Sequence, residues 1–414
     1  MLIQFTIENY KSFREQQTLS FVSSPGDEHI EHTLVLNNGL RINRFCALIG
    51  GNGVGKTQLI YAINELAFAI NNDEYGDLHK PFSLTKETRE KPTSYEVIIL
   101  DEEKENFLRY GISVLSGNIL SEYFYTRPVR KGAREQCIFT RDNTGVSFKK
   151  ASYKKHEALI KPILKETGSV ITFSKSLEAM ELSELKFWAI KQLPYNSRMW
   201  GSQGLDFFEE RFRKNMIDDE NRAPKPSKST LDELEQYNNM ITRSPLHIDG
   251  VKFIPYGKEN KYHFIFEIKG PDGELISIDP DMRYGFFSEG TMHILTFLAA
   301  MVWSFRSGFC LYVDEIDSSV HHSLATNLIK MIIDTQTERD DMQFVISTHN
   351  IPLLDECFRR DELNIIIKDE SKASKIINAS TFSVRKDAKI SAKYFRGEFG
   401  VLPSFLGLRS DKVQ

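Results

Sequence analysis

Cysteine is scarce in this chain of 414 residues: Cys46, Cys137, Cys310 and Cys357 are widely spaced and form no C-x-x-C pair. That argues against a zinc site and against a disulfide scaffold, and it fits a reducing compartment. With 14 prolines and 24 glycines the chain is neither collagenous nor of low complexity. Long apolar runs are missing too. The longest, Ile294 to Trp303, is interrupted by Thr296 and falls well short of the roughly 20 residues that a membrane span needs. Residues 1–8, MLIQFTIE, have no basic leader region or cleavage site, so a cytoplasmic protein with no membrane partner is expected. Positive charge is not in excess either: 53 basic against 57 acidic residues gives 53 − 57 = −4. A nearly neutral chain does not coat nucleic acid through bulk charge, so any such contact has to come from a local patch.

What is present is a mixture of patterns. Ile3, Phe5 and Ile7 alternate with polar residues, as in a half-buried strand, and a second strand over about Thr18 to Ser23 is expected to pair with it. Phe45 to Ile49 is uniformly apolar, the pattern of a strand buried on both faces of a parallel sheet. From Thr57 the spacing of Leu59, Ile60, Ile63, Leu66, Ala67 and Ile70 is helical. Alternating runs over 93–148 predict an antiparallel sheet. Residues 150–250 read as a helical insertion, with helices at about 152–165, 176–192 and 205–216 and a loop or hinge at Arg222 to Lys228. Strands at 251–256 and 262–269 follow, with a turn at Pro271-Asp272-Gly273. Then come a helix at 291–305, a strand at 309–313, a helix at 320–334, and strands at 343–347 and 363–367, which together predict a parallel sheet flanked by helices. The expected organisation is an N-terminal lobe (1–149), the insertion (150–250) and a C-terminal lobe (251–414).

Three motifs carry chemistry. Gly50-Gly51-Asn52-Gly53-Val54-Gly55-Lys56-Thr57 satisfies G-x-x-x-x-G-K-[ST] between a buried strand and a helix. Glycines let the backbone amides turn in around phosphates, Lys56 adds a point charge, and the Thr57 hydroxyl is placed for Mg²⁺. With Gln58 these residues form the expected ATP site. Hydrolysis needs a second, carboxylate site, and the apolar strand Phe309 to Val313 ends in Asp314-Glu315. Asp314 is the candidate Mg²⁺ ligand, and Glu315 the group that polarises the attacking water. A third buried strand, Gln343 to Thr348, ends in His349, whose imidazole suits a hydrogen bond to a γ-phosphate.

Together these residues resemble the ABC-type ATPases that include SMC, RecF and OLD proteins. Asn52 gives the loop the G-x-N-G-x-G-K-T form that these proteins share. Asn9-Tyr10-Lys11-Ser12-Phe13 is similar to their N-terminal NFKSF element, which implies a phosphate contact for Lys11. Phe287-Ser288-Glu289-Gly290-Thr291 stands where the family has its signature, with Glu289 replacing the usual middle glycine. The resemblance implies that Ser288 and Gly290 close on the nucleotide of a second subunit, in a head-to-tail homodimer or higher assembly. The fold it implies is α/β: an ABC-type ATPase head with a mostly parallel sheet, an antiparallel β subdomain and a helical insertion.

At finer grain the chain resembles the AbiLii-like abortive-infection ATPases. The segments that carry this are Pro81 to Leu84, Pro92 to Val97, Ser121 to Tyr125, Asp314 to His321 and Tyr394 to Pro403. Val320, His322 and Glu398 depart from that group's usual residues, and no Q-loop glutamine is evident. OLD-type relatives often carry a nuclease domain after the head, for which the 414 − 367 = 47 residues beyond Ile367 are too few. A separate effector, a nuclease or a toxin, is therefore expected. The alternatives are a RecF-like repair ATPase that clamps DNA and a non-hydrolysing ATP-bound scaffold. The candidate patch for nucleic acid comprises Arg127, Arg130, Lys131 and Arg134, with Lys149, Lys150, Lys154 and Lys155 following. Acids nearby, such as Glu122 and Glu135, favour an ordinary solvated loop.

Overall fold

The structure, a computed structural model, describes residues 1–196, 204–219, 222–258, 261–317, 322–336, 342–382 and 390–399. Residues 318–321 and 400–403, quoted above for the finer resemblance, lie outside this set. The fold is α/β, and the chain packs into two compact units, Met1–Gln192 with Ile329–Gln414, and Leu193–Leu328.

Among the described residues, the first unit holds two large sheets and a two-stranded one, Thr33–Val35 with Arg41–Asn43. One is a seven-stranded antiparallel sheet built from Leu2–Glu8, Gln17–Ser20, Thr93–Leu100, Asn106–Leu115, Asn118–Pro128, Gln136–Asp142 and Gly145–Phe148. The strand Leu2–Glu8 lies between Gln17–Ser20 and Thr93–Leu100, and Phe5 faces both Leu19 and Val97 across the ladders. Ile3, Phe5 and Ile7 are buried and alternate with the less buried Gln4, Thr6 and Glu8, as the period of two requires. The second sheet carries Phe45–Ile49 at its centre, with Phe344–Thr348 and Leu363–Lys368 both parallel to it. All five residues of the central strand are buried, which only a strand covered on both faces allows. A further strand, Ser374–Asn378, continues this sheet antiparallel to Leu363–Lys368. The sequence reading ends at Ile367 and misses it. Its polar Ser374, Lys375 and Asn378 give too little apolar alternation to mark a strand.

Helix Lys56–Asn72 follows the central strand and buries Leu59, Ile60, Ile63, Leu66 and Ile70. Helix Met180–Ile190 is fastened to its C-terminal end, where Lys186 Nζ lies 2.9 Å from Asp73 Oδ2. Residues 151–190, read above as part of an insertion, therefore belong to the first unit. The helix expected over 152–165 is two single turns, Ala151–Lys154 and Glu157–Ile160.

The second unit contains an antiparallel meander of Gly250–Tyr256, Lys261–Lys269 and Leu275–Ile278, with the Pro271-Asp272-Gly273 turn between the last two. Helices Gly204–Lys214, Lys228–Arg243 and Glu289–Ser307 belong to this unit, and Phe212, Phe253, Phe264 and Tyr237 pack in tilted and edge-to-face pairs at centroid distances of 5.2–5.5 Å. Arg283 is buried there and is held by Glu209 (2.6 Å) and Asp206 (2.5 Å). Arg222–Pro226, expected as a loop or hinge, pairs antiparallel with Met216–Asp219. Strand Cys310–Asp314 runs beside Gln192–Asn196.

The buried Gln343 amide, just before strand Phe344–Thr348, ties that strand to Leu2–Glu8 and to Asn43. Gln343 Oε1 accepts the Leu2 N–H (2.6 Å), and its Nε2 donates to the carbonyls of Leu2 (2.8 Å) and Asn43 (3.2 Å). Gln343→Ala would leave these backbone groups buried without partners. It is expected to destabilise the first unit by about 2–4 kcal/mol, measured by equilibrium urea unfolding against wild type.

Candidate functional site

The site in the first unit is set by strand register. Thr348 pairs with Ile49 in the parallel ladder, so the strands Phe344–Thr348 and Phe45–Ile49 end at one edge. The glycine loop leaves from one of them and His349 from the other. The loop turns through Gly50 at φ 153°, Gly53 at φ 72° and Gly55 at φ 117°. A Cβ on Gly50 would meet the Ile366 carbonyl oxygen at 2.3 Å, and one on Gly55 would meet Ser12 Oγ and Ser374 Oγ at 2.8 Å. Glycine is required at both positions for close backbone approach.

Lys56 opens the helix and is buried. Its Nζ donates to the carbonyls of Gly50 (2.8 Å) and Gly51 (3.0 Å), and His349 Nδ1 lies 3.5 Å away. Gly55 occupies the N-cap position and supplies no side-chain cap, so the helix's leading amides have no side chain of that residue to satisfy them. Loop amides, a helix dipole and an ammonium form a donor set that suits a polyphosphate, and the residues present therefore fit ATP. Asn52 and Gly53 are exposed at the loop tip, while Val54 and Thr57 are half-buried, Thr57 in the first helical turn.

Supports for this loop come from two distant places in the chain. Gln58 Oε1 accepts the Ser12 N–H (3.0 Å). Ser374 Oγ bonds both the Val54 carbonyl and Ser12 Oγ (2.7 Å), and the Ser374 N–H donates to the Ser12 carbonyl (2.7 Å). The turn Asn9–Phe13 is itself tightly held, with Asn9 and Lys11 at positive φ. Asn9 Nδ2 donates to the carbonyls of Thr88 (2.8 Å), Lys91 (3.0 Å) and Pro92 (3.1 Å). Lys11, expected near phosphate, has its Nζ 3.2 Å from Glu65 Oε1, and its neighbour Ser12 is the residue that joins the loop. The Tyr10 hydroxyl donates to Glu65 Oε2 (2.9 Å), and burial, with Glu65 beside it, holds that hydroxyl neutral well above its ordinary range. Ser374 was not legible in the sequence. Its only local signal is a polar residue opening a short apolar run after the Asp369–Lys372 turn.

In the second unit, Asp314 ends its strand buried, and its Oδ2 accepts from Asn196 Nδ2 (3.0 Å). Asn196 is a further residue that sequence reasoning missed, because it is distant in the chain and belongs to no motif. Glu315 follows at φ 54°, a left-handed conformation that costs a non-glycine residue on the order of 1 kcal/mol and collects at functional turns. Ser288 is exposed and caps its own helix, Oγ accepting the Thr291 N–H (3.1 Å), with Gly290 in the first turn. Thus the loop, Lys56 and His349 come together in the first unit, whereas Asp314, Glu315, Ser288 and Gly290 belong to the second.

Two comparisons find similarities. A family described as "AAA domain, putative AbiEii toxin, Type IV TA system" matches residues 179–356, less than half of the chain. Among solved structures, the SMC head domain from Thermotoga maritima is similar at 12% identity over 91% of this chain and 98% of that one, with a TM-score of 0.41. A structure of the SMC head bound to the C-terminal winged-helix domain of ScpA is similar at 12% identity over 91% and 96%, with a TM-score of 0.44. No curated protein sequence matches. No helix among the described residues is long and apolar enough to cross a membrane.

Ser374→Ala removes the hydroxyl that ties Val54 and Ser12 together. It is expected to weaken nucleotide binding about fivefold, the worth of roughly one net hydrogen bond, read by titration with a fluorescent ATP analogue.

Proposed function

We propose that this chain is an ATP-dependent switch of the ABC/SMC-like kind, binding ATP with Mg²⁺ on the loop Gly50–Gln58 and hydrolysing it. The observation that carries the reading is the prepositioned ammonium of Lys56. It is fixed on two loop carbonyls at a helix start whose N-cap residue offers no side chain. When bound, ATP supplies the phosphoanhydride bond that is cleaved. Lys56 would balance charge on the phosphate oxygens, Thr57 would offer its hydroxyl to Mg²⁺, and His349 would hydrogen-bond the γ-phosphate. Asp314, oriented by Asn196, would be a second residue to hold Mg²⁺, and Glu315 would accept the proton of the attacking water.

In this reading Ser288 and Gly290, on an exposed turn, serve the nucleotide of a second copy. The working form is then a homodimer or higher homo-oligomer with composite sites. The similarity of residues 179–356 to an AbiEii-type family supports a role in bacterial anti-phage defence, with the AbiLii-like group as the finer assignment and a separate nuclease or toxin as effector. One observation favours the alternative of a RecF-like ATPase that clamps DNA: Arg127, Arg130 and Lys131 line a recess of about 430 Å³ in the first unit. Turnover stimulated by DNA, and lost when Arg130 and Lys131 are neutralised, would select that alternative.

Lys56→Ala is expected to raise the Kd for ATP at least ~100-fold, from the loss of charge-assisted contacts, as measured by calorimetry. Glu315→Gln is expected to lower turnover by about 10²–10⁴-fold while retaining ATP and trapping a dimer, seen by light scattering. Wild-type turnover in Glu315→Gln would place the general base elsewhere.

A further inference from the structure

A second cluster with ligand chemistry lies on the short 3-10 turn Ile30–His32 of the first unit. His29 Nδ1 is 3.3 Å from Glu31 Oε1, and His32 Nε2 is 4.0 Å from the same oxygen. One donor atom from each of the three residues lies within 4.8 Å of the other two. Donors on a tetrahedral zinc ion stand about 3.4 Å apart at ordinary bond lengths. Glu31 already has that spacing to His29, whereas the His29 and His32 rings stack 5.0 Å apart and 19° from parallel, so the half-exposed His29 side chain has to re-orient for both imidazoles to face one ion.

What lies behind His32 distinguishes this cluster from a chance surface grouping. Glu362 is 1% exposed, and its Oε2 sits 3.2 Å from His32 Nδ1. The same oxygen accepts the Arg359 N–H (2.8 Å), which marks it as an acceptor. With Glu362 ionised, the His32 proton belongs on Nδ1 and the lone pair on Nε2 is free for a ligand. A buried carboxylate behind a histidine in this orientation is the usual outer shell of a metal-ligating imidazole. The other oxygen, Oε1, is buried without a hydrogen-bond partner, and the Arg359 guanidinium is bonded to Asp361. Burial pushes the Glu362 carboxyl well above the ordinary carboxylate range, and a cation on His32 Nε2 would favour its charged form. The turn is also held in place: Arg44 donates to the Glu31 carbonyl, and Arg359 to the Glu28 carbonyl.

We propose that His29, Glu31 and His32 bind one zinc ion, with water as the fourth ligand. Two imidazoles and one carboxylate suit zinc and leave Mg²⁺, which prefers an all-oxygen shell, a poor competitor. The site lies upstream of Phe45, whereas the phosphate loop leaves the same strand after Ile49, so this ion is distinct from the one that accompanies ATP.

The test uses the full chain, freed of nucleotide and metal, titrated with Zn²⁺ against a chromophoric chelator and with Co²⁺ for its visible ligand-field bands. The expected result is one equivalent of Zn²⁺ per chain. Its affinity should fall at least about tenfold in both His29→Asn and Glu31→Gln, with the tetrahedral Co²⁺ bands lost. Asparagine tolerates the left-handed φ of 46° at position 29, and metal-free melting curves verify that both variants fold. Less than one equivalent bound at roughly tenfold molar excess, or an affinity within about threefold of wild type in either variant (well short of the tenfold that a lost ligand predicts), overturns the assignment.

Discussion

Lys56 is a cation buried where a parallel strand gives way to a helix, and an ammonium tolerates such a place only with oxygen acceptors around it. The carbonyls of Gly50 and Gly51 supply them, and to do so the chain has to curl back over its own helix start. Curling requires backbone angles closed to other residues at Gly50 and Gly55, and both pack too tightly to admit a Cβ. The turn Asn9–Phe13 and the strand Ser374–Asn378 then serve as walls, joined through the Ser12–Ser374 contact. The same charge that fixes the loop's shape is the one best placed to meet a phosphate, so folding and binding draw on one interaction.

The two helix starts named by the motifs illustrate how alike sequences diverge in use. Helix Glu289–Ser307 begins with Ser288, whose hydroxyl already satisfies the Thr291 amide. Helix Lys56–Asn72 begins with a glycine that offers no such hydroxyl. A self-capped start is stable alone, and its serine has to exchange a partner to bind an anion. An uncapped start is more costly to fold, and its amides are directed outward from the beginning.

Much of this was legible from residue order. The run Phe45 to Ile49 announced a doubly covered strand, the glycine spacing announced the loop, and period-two alternation announced the antiparallel sheet. Those signals are local, being set by neighbouring side chains and backbone sterics. Ser374, Asn196 and Gln343 were not legible, because each matters through a partner more than 100 residues away, and a polar residue bears no mark of which distant group it will meet. The helix expected over 152–165 shortened to two turns for a related reason. The Arg141 guanidinium binds the carbonyls of Lys165 and Gly168, holding the following segment in a conformation that its own composition does not specify.

The central strand of the parallel sheet takes both of its neighbours, Phe344–Thr348 and Leu363–Lys368, from about 300 residues downstream. During synthesis at about 5–20 residues per second, Phe45–Ile49 leaves the ribosome roughly 15–60 s before either arrives. For that interval a five-residue apolar segment has no parallel ladder to join, and a nascent chain halted at any earlier point has a glycine loop without its sheet neighbours.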